Sequence, residues 1–281
     1  MSRTFLVRVS AAVLFLGASW VAYTQNQGKQ ASNKLNKITD DLYEIEGDGG
    51  NVAVYITNEG AIVVDDKFEY DFDDIMAKVK SVTNQPVKYV LNTHHHGDHT
   101  GSNAKFPSTT EIISTAMARA NMIQGKQPGP PRVVFTQESD VFLGGKEVRA
   151  RYYGRGHTNG DAVIYFPALR TIHTGDLMAG TSPLIDYSGG GSLVEWTKTL
   201  DEVLKLDFET VIPGHGAIAK KADLVTYRNN VDKLRNRVSG LIRDGKGKDD
   251  IAKVMMSEYG WAADSLQMRL SMDGMLAELK R

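Results

Sequence analysis

Short apolar runs separated by glycine- and asparagine-containing turns follow residue 40. These runs are rich in β-branched residues, which predicts an antiparallel meander of strands. They cover residues 42–46, 52–57 and 61–65. Residues 71–82 then carry an apolar side chain at every third or fourth position, which predicts a helix.

The same two patterns alternate along the rest of the chain. Further strands are predicted at residues 87–92, 111–114, 133–136, 140–143, 147–153, 162–166, 171–174 and 210–212. Further helices are predicted at 115–124, at 193–206 and from about 222 onwards. Two meanders that alternate with helices predict an α/β (α+β) fold of two sheets packed face to face, with helices outside them.

The first residues have a different pattern. Arg3 and Arg8 precede a mostly apolar run, 9–21, and small residues follow the core of that run. This layout predicts a secretory signal over residues 1–24, and the run is short for a membrane span. A buried N-terminal helix and an uncleaved anchor are the alternatives. Residues 25–36 are polar and predict a linker, which leaves 37–281 as the folded domain in the periplasm or outside the cell.

Composition narrows the classes of partner. The 281 residues are 41% hydrophobic and 24% charged, with a formal net charge of -1. This balance gives no basic field for nucleic acid or for an anionic membrane surface, so we expect a small-molecule substrate. The chain has no cysteine. Disulfides, thiolate metal ligands and a cysteine nucleophile are therefore excluded.

One six-residue segment concentrates metal-ligand side chains. The segment from His94 to His99 reads His-His-His-Gly-Asp-His. On an extended backbone, positions i and i+2 point the same way, so His94 and His96 can chelate one metal. Gly97 is expected to let the chain turn, so that Asp98 and His99 face a second metal. Imidazole and carboxylate donors favour zinc.

Together with three later motifs, this segment resembles the metallo-β-lactamase superfamily. The later motifs are Gly156-His157-Thr158, Thr174-Gly175-Asp176 and Pro213-Gly214-His215-Gly216. The resemblance runs from residue 42 to the C-terminus. It implies an αββα sandwich with a hydrolase site at the shared rim of the two sheets.

The resemblance also implies a set of seven ligands for two Zn²⁺ ions, although iron or manganese can occupy such sites. The first metal would be held by His94, His96 and His157, the second by Asp98, His99 and His215, and Asp176 would bridge the two. Two cations sharing one water would lower its pKa to about 7. A bridging hydroxide would then be the nucleophile, and Asp98 would orient it.

Other residues are assigned supporting roles. His95 lies between two ligands and should point away from the metals, and His173 is expected to be a satisfied core histidine. Asp65 matches the position that hydrogen-bonds the ligand loop, with a plain turn residue as the alternative. We expect the loops 47–50 and 180–191 to border the site. Apolar side chains of the second loop would form a substrate wall: Leu184, Ile185 and Tyr187.

The residue at position 176 bears on the substrate. In the resistance enzymes of the family a cysteine stands there, whereas a bridging aspartate is typical of members that hydrolyse thioesters, lactones or phosphodiesters. This favours cleavage of ester, lactone or thioester bonds. The stretch 191–196 before a helix and the export signal resemble β-lactamases, so hydrolysis of β-lactam antibiotics is the alternative. A mononuclear iron enzyme and a non-catalytic metal-binding protein fit seven intact ligands less well.

Overall fold

Two mixed β-sheets dominate the fold in a computed structural model that describes residues 32–280. Within that range the first sheet has seven strands in sequential order. They are β1 (Lys34–Lys37), β2 (Leu42–Glu46), β3 (Val52–Ile56), β4 (Ala61–Val64), β5 (Val87–Leu91), β6 (Glu111–Thr115) and β7 (Val133–Phe135). Strands β1 to β4 pair antiparallel, and β4 to β7 pair parallel.

The second sheet has six strands in the order β13-β12-β11-β10-β9-β8 across the same residues. They are β8 (Glu138–Leu143), β9 (Lys146–Tyr152), β10 (Ala162–Phe166), β11 (Thr171–His173), β12 (Thr210–Ile212) and β13 (Ala219–Lys220). Strands β11 and β12 pair parallel, and every other pair in this sheet is antiparallel.

Helices cover the outer faces of both sheets. The helices of the described range are α1 (Phe72–Val82), α2 (Gly97–Thr100), α3 (Ala116–Gln124), α4 (Leu193–Val203), α5 (Lys221–Arg243), α6 (Lys248–Tyr259) and α7 (Met272–Leu279). Of these, α1 packs on the first sheet, and α4, α5 and α7 pack on the second. A π-helical turn, Gln267–Ser271, leads into α7. Among the described helices, none has both the length and the apolar composition that a bilayer crossing requires.

Side-chain alternation in the strands explains the layering. In β3, Ala53 and Tyr55 point into the core between the two sheets, while Val52 and Val54 pack against α1. The outer face of the second sheet packs against α4, α5 and α7 around the fully buried Trp196. Because successive residues of a strand face opposite sides, the unbroken apolar run of β3 gives this strand two buried faces. This αββα arrangement confirms the predicted fold class.

The structure corrects one boundary and one glycine role of the sequence prediction. Strand β1 begins at Lys34, inside the polar stretch assigned to a linker, and pairs with β2. Leu35 is its one apolar residue, so hydrophobic pattern gave no strand signal there. Gly97 has no positive φ and opens the short helix α2, so the backbone does not require glycine at that turn. The predicted signal segment, 1–24, lies outside the described residues.

Candidate metal centre

The site lies where carboxyl ends of parallel strands from both sheets meet. Strand β5 ends at Leu91, three residues before His94, and β11 ends at His173, three residues before Asp176. Strand β12 ends at Ile212, just before the turn that carries His215. The backbone N–H of Ala162 donates to Thr93 O at 2.7 Å and joins the two sheets beside the site. The fold therefore collects residues that are far apart in sequence.

Three imidazole nitrogens converge on one point. His96 Nδ1 lies 3.1 Å from His94 Nε2 and 2.9 Å from His157 Nε2. The opposite ring nitrogen of His157, Nδ1, donates to the carbonyl oxygen of Leu184 at 2.6 Å. A carbonyl oxygen only accepts, so this contact places the proton on Nδ1 and leaves Nε2 with a lone pair.

The same argument fixes the other two rings. His96 Nε2 lies 3.0 Å from Asp186 Oδ2, so it donates there and Nδ1 is the nitrogen that faces the site. Thr93 Oγ1 donates to Asp65 Oδ2 at 2.7 Å and accepts from His94 Nδ1 at 3.1 Å. When all three rings are neutral, they present three lone pairs to one point, which repel one another unless a cation lies among them, so this group fits a metal ion.

A second group combines Asp98, His99 and His215. His215 Nε2 lies 3.2 Å from Asp98 Oδ2 and 3.3 Å from His99 Nε2. His99 Nδ1 donates to Asp65 Oδ2 at 2.7 Å, which leaves Nε2 free to face its neighbours. The side chains of Asp98 and His215 are 25% and 36% exposed, so this half of the site opens to solvent.

Asp176 lies between the two groups. Its Oδ2 is 3.5 Å from His157 Nε2, and its Oδ1 is 3.3 Å from His99 Nε2 and 3.5 Å from His215 Nε2. Oδ1 is buried and has no well-formed hydrogen bond from any residue in the range 32–280. A buried carboxylate oxygen without a donor is costly unless a cation compensates it. The two oxygens of Asp176 thus fit two neighbouring cations.

Close backbone approach explains two glycines. A Cβ on Gly214 would lie 2.0 Å from Asp176 Oδ1, and a Cβ on Gly50 would lie 2.2 Å from His99 Cε1. Neither site could accept alanine without moving a side chain of the centre. Lys67 fixes the loop of Gly50 from inside, because its ammonium donates to Asp48 O at 3.1 Å and to Gly50 O at 2.7 Å.

The pKa is lowered for some histidines of the centre and raised for others. Burial lowers the pKa of His94 well below 6.5 and that of His157 to about 4, so both rings are neutral at pH 7. Burial also opposes charge on His99, but the carboxylates of Asp98, Asp176 and Asp65 outweigh it and raise the pKa of His99 well above 6.5. The excess of carboxylate around His99 attracts positive charge, as a cation site does.

The structure therefore brings together all seven ligand candidates that the sequence predicts. They form two groups with ligand atoms close enough to share an ion, His94-His96-His157-Asp176 and Asp98-His99-His215. His95 lies outside both, and its Nε2 is 3.6 Å from Asp186 Oδ2. His173 is a satisfied core residue that donates from Nε2 to Asn51 O and accepts at Nδ1 from Gly175 N.

Sequence reasoning did not identify Asp186, and its assignment of Ile185 and Tyr187 to a substrate wall was wrong. Asp186 contacts His95 and His96 from the loop 180–191, where only apolar residues were expected to matter. Ile185 is fully buried, and Tyr187 donates its hydroxyl to Glu278 at 2.7 Å. These two side chains therefore form no wall toward a substrate, because both point into the protein. The loop does border the centre, through Leu184 O and Asp186.

Residues 45–215, well over half of the chain, match the family model described as the metallo-beta-lactamase superfamily. The chain belongs to the metallo-β-lactamase superfamily. This confirms the family that the motifs indicated. Superfamily relatives of this chain are hydrolases, and the chain is a hydrolase of the same kind.

This superfamily member is similar in sequence to two characterised relatives and in fold to a solved structure. It is 26% identical over 171 residues to the metallo-beta-lactamase IND-1 of Chryseobacterium indologenes, across 59% of this chain and 71% of that one. It is 36% identical over 109 residues to a hydroxyacylglutathione hydrolase of Crocosphaera subtropica, across 38% of this chain and 40% of that one. Its fold resembles a metallo-beta-lactamase from Pontibacter korlensis with a TM-score of 0.65 at 18% identity, covering 72% of this chain and 99% of that one.

Proposed function

We propose that this chain is a dinuclear zinc-dependent hydrolase that cleaves ester, lactone or thioester bonds of small molecules. The observation that carries the proposal is the position of Asp176. One of its oxygens faces the group of three histidines, and the other faces His99 and His215. A carboxylate that points one oxygen into each of two ligand groups suits two adjacent cations.

The donor set fits zinc. Five imidazoles and two carboxylates supply nitrogen and oxygen donors, and the set contains no thiolate. Iron or manganese would also accept these donors. Two bound Zn²⁺ ions would supply Lewis acidity and lower the pKa of a coordinated water to about 7. The tautomers already described leave a lone pair on each of His94, His96 and His157 toward the site. The chain therefore holds His94 and His157 in the form that metal binding requires, while His96, whose pKa is raised, reaches that form when its site proton is released.

Asp98 is the residue proposed to handle the proton of the attacking water. Its side chain is partly exposed at the mouth of the site, and its Oδ2 lies 3.2 Å from His215 Nε2. Its histidine neighbours outweigh burial and hold the pKa of Asp98 below 3.8, so the carboxylate is ionised at neutral pH. An ionised Asp98 can orient the water through a hydrogen bond and carry its proton toward the leaving group.

Asp176 also supports the substrate class. If Asp176 held both cations, its negative charge would make the second one a weaker electrophile for the leaving group. An alkoxide or thiolate leaving group needs less of that help than an amide nitrogen. The similarity to a hydroxyacylglutathione hydrolase is in line with acyl transfer to water from sulfur.

Hydrolysis of β-lactams is the second candidate. The similarity to the metallo-beta-lactamase IND-1 covers 71% of that protein and so favours it. Ring strain lowers the intrinsic barrier of a β-lactam, which offsets part of the disadvantage of a nitrogen leaving group. We rank this candidate second because position 176 holds an aspartate and not the cysteine of the resistance enzymes.

A direct comparison of substrates tests the proposal. One batch of zinc-loaded enzyme is assayed with a chromogenic cephalosporin, a lactone and a thioester, and His96→Ala prepared in parallel serves as the background control. We expect kcat/KM for the lactone or thioester to exceed that for the cephalosporin by at least about tenfold, or about 1.4 kcal/mol in the barrier. Cephalosporin turnover above both others would favour the β-lactamase alternative.

Export is the proposal for residues 1–24. It rests on Arg3, Arg8 and the apolar run 9–21. N-terminal sequencing of the protein from its native host should find a mature end between Ser19 and Gln30, in the periplasm or the medium. A soluble cytoplasmic protein that starts at Met1 would contradict it.

A further inference from the structure

Glu278 lies in the last turn of α7, far in sequence from every ligand candidate, yet it contacts the segment that orients two of them. We propose that Glu278 is a positioning residue for the first metal subsite, defined as His94, His96 and His157. It acts through residues 184–194. The proposal rests on the proposed function, because it concerns metal binding at that same centre.

The segment 184–194 supplies outer contacts to the first subsite. Leu184 O accepts the Nδ1 proton of His157 at 2.6 Å, and Asp186 Oδ2 accepts the Nε2 proton of His96 at 3.0 Å. Asp186 is itself fixed, because its Oδ1 accepts from Ser188 Oγ at 2.5 Å and from Gly189 N at 3.0 Å. A shift of this segment would therefore move two ligands at once or change their tautomers.

Glu278 fastens the segment at two places. Its Oε2 accepts from the hydroxyl of Tyr187 at 2.7 Å and from Leu193 N at 3.0 Å, and its Oε1 accepts from Ser192 Oγ at 2.5 Å. Leu193 N is one of the free amides at the start of α4, where a negative charge is favourable. One carboxylate thus joins the loop to the beginning of a helix.

Two more residues near the C-terminus, Ser271 and Gly274, also contact the segment. Ser271 Oγ accepts from Ile185 N at 2.9 Å and donates to Ile185 O at 3.1 Å. The ring of Tyr187 lies against Gly274, where a Cβ would come within 2.1 Å of it. Helix α7 itself is held by Met272, Met275 and Leu276 in the core of the second sheet. Loss of the Glu278 carboxylate should therefore loosen the segment between Tyr187 and Leu193 without detaching α7.

The second subsite, Asp98-His99-His215, is oriented by other residues. Asp65 accepts the Nδ1 proton of His99, and the loop of Gly50 packs on the same ring. Both come from the first sheet and its loops, and no contact of Glu278 among the residues 32–280 reaches them. The two subsites should therefore respond differently to a change at Glu278.

The test compares Glu278→Gln with Glu258→Gln in the full chain. Glu258 is a control on the neighbouring α6, where it pairs with Arg237 at the surface. Each protein carries ¹⁵N-labelled histidine and is titrated with Zn²⁺ against a competing chelator. The ring nitrogen signals of His94, His96 and His157 report the first subsite, and those of His99 and His215 report the second. Hydrogen exchange of the His157 Nδ1 proton is measured in the metal-free protein.

We expect Glu278→Gln to weaken zinc binding at the first subsite by about tenfold, the lower end for an outer contact to a ligand. The second subsite should change by less than about twofold, and the His157 Nδ1 proton should exchange faster. Glu258→Gln should match the unaltered protein in all three measurements. Tyr187→Phe removes only one of the bonds to Glu278 and should give a smaller shift in the same direction, which keeps the test informative if Glu278→Gln does not fold.

Equal weakening of both subsites, or an unchanged His157 proton together with unchanged first-subsite affinity, would overturn the proposal. Failure of the unaltered protein to bind zinc at both subsites would instead overturn the proposed function. In that case exchange of the His157 proton still tests whether Glu278 positions the ring, since that measurement needs no metal.

Discussion

Asp65 accepts a hydrogen bond from His99 across 2.7 Å, and both side chains are fully buried. The other bonds of the same carboxylate run to Thr93, one from its backbone N–H and one from its hydroxyl. Through Thr93 it also fixes the proton on His94. One carboxylate outside the ligand set thus determines which nitrogen two ligands present.

Asp65→Asn should therefore disturb metal binding more than folding. The asparagine side chain would place an N–H group where Asp65 now accepts from Thr93 or His99. An N–H group facing His99 Nδ1 would favour the tautomer with its proton on Nε2, the nitrogen that should bind the metal. We expect a loss of about 10- to 100-fold in affinity for the second metal, measured by chelator competition. Asp66→Asn is the matched control, because within residues 32–280 the neighbouring Asp66 accepts one bond, from Ser102 N to Oδ1, and burial raises its pKa well above 3.8. Equal losses in both variants would contradict the role of Asp65.

Gly50→Ala should damage the site through contact alone. The added Cβ would lie 2.2 to 2.5 Å from three atoms of the His99 ring, so that the ring must move. We expect kcat/KM to fall by at least about tenfold, or about 1.4 kcal/mol. Gly97→Ala is the control, since a Cβ there meets nothing within 4 Å although the residue lies inside the histidine motif. A larger loss of kcat/KM in Gly97→Ala than in Gly50→Ala would contradict the claim that steric contact with the His99 ring causes the loss.

Metal binding should release protons at neutral pH. Neighbouring carboxylates outweigh burial and raise the pKa of His99 well above 6.5, so this ring carries an extra proton in the metal-free protein at pH 7. The carboxylates around His96 and His215 also shift the pKa of these two rings upward. Zinc needs neutral imidazoles, so its affinity should rise with pH until these groups have lost their protons.

Calorimetric titration in buffers of different ionisation enthalpy measures this release. At least about one proton should leave per chain at pH 7 as two zinc ions bind, because His99 must become neutral. The number should fall as pH rises through the raised pKa values. Zinc binding without net proton release at pH 7 would contradict the electrostatics derived for the site.

Tyr187→Ala should lower stability and leave substrate preference unchanged. The ring packs on Gly274 and its hydroxyl bonds to Glu278, so truncation leaves a cavity and a carboxylate with one donor fewer. A cost of about 3 kcal/mol in the free energy of unfolding is expected, measured by denaturant titration. Tyr187→Phe should cost about 1 kcal/mol. A changed ratio of kcat/KM between two substrates at saturating zinc would restore the idea of a substrate wall.

Local sequence patterns predicted the strands and the four ligand candidates between His94 and His99, whereas His157, Asp176 and His215 were implied by the family resemblance. Strand alternation places Ala53 and Tyr55 in one core and Val52 and Val54 in another, and this period is visible in the sequence. The motif from His94 to His99 carries its chemistry within six residues.

The outer contacts could not be predicted in this way. Asp186 meets His96 across 90 positions, and Glu278 meets Tyr187 across 91. Nothing in the composition of either neighbourhood marks these pairs. Strand β1 is polar except at Leu35, so its pairing depends on the edge that β2 offers and not on its own pattern.

The central claim is that one chain binds two metal ions and uses both in hydrolysis. Elemental analysis of protein purified without chelator, combined with kcat/KM measured as zinc is added back to the metal-free form, tests it most directly. We predict close to two transition-metal ions per chain and activity that becomes full only as the second ion binds. Full activity with a single ion bound per chain would contradict it.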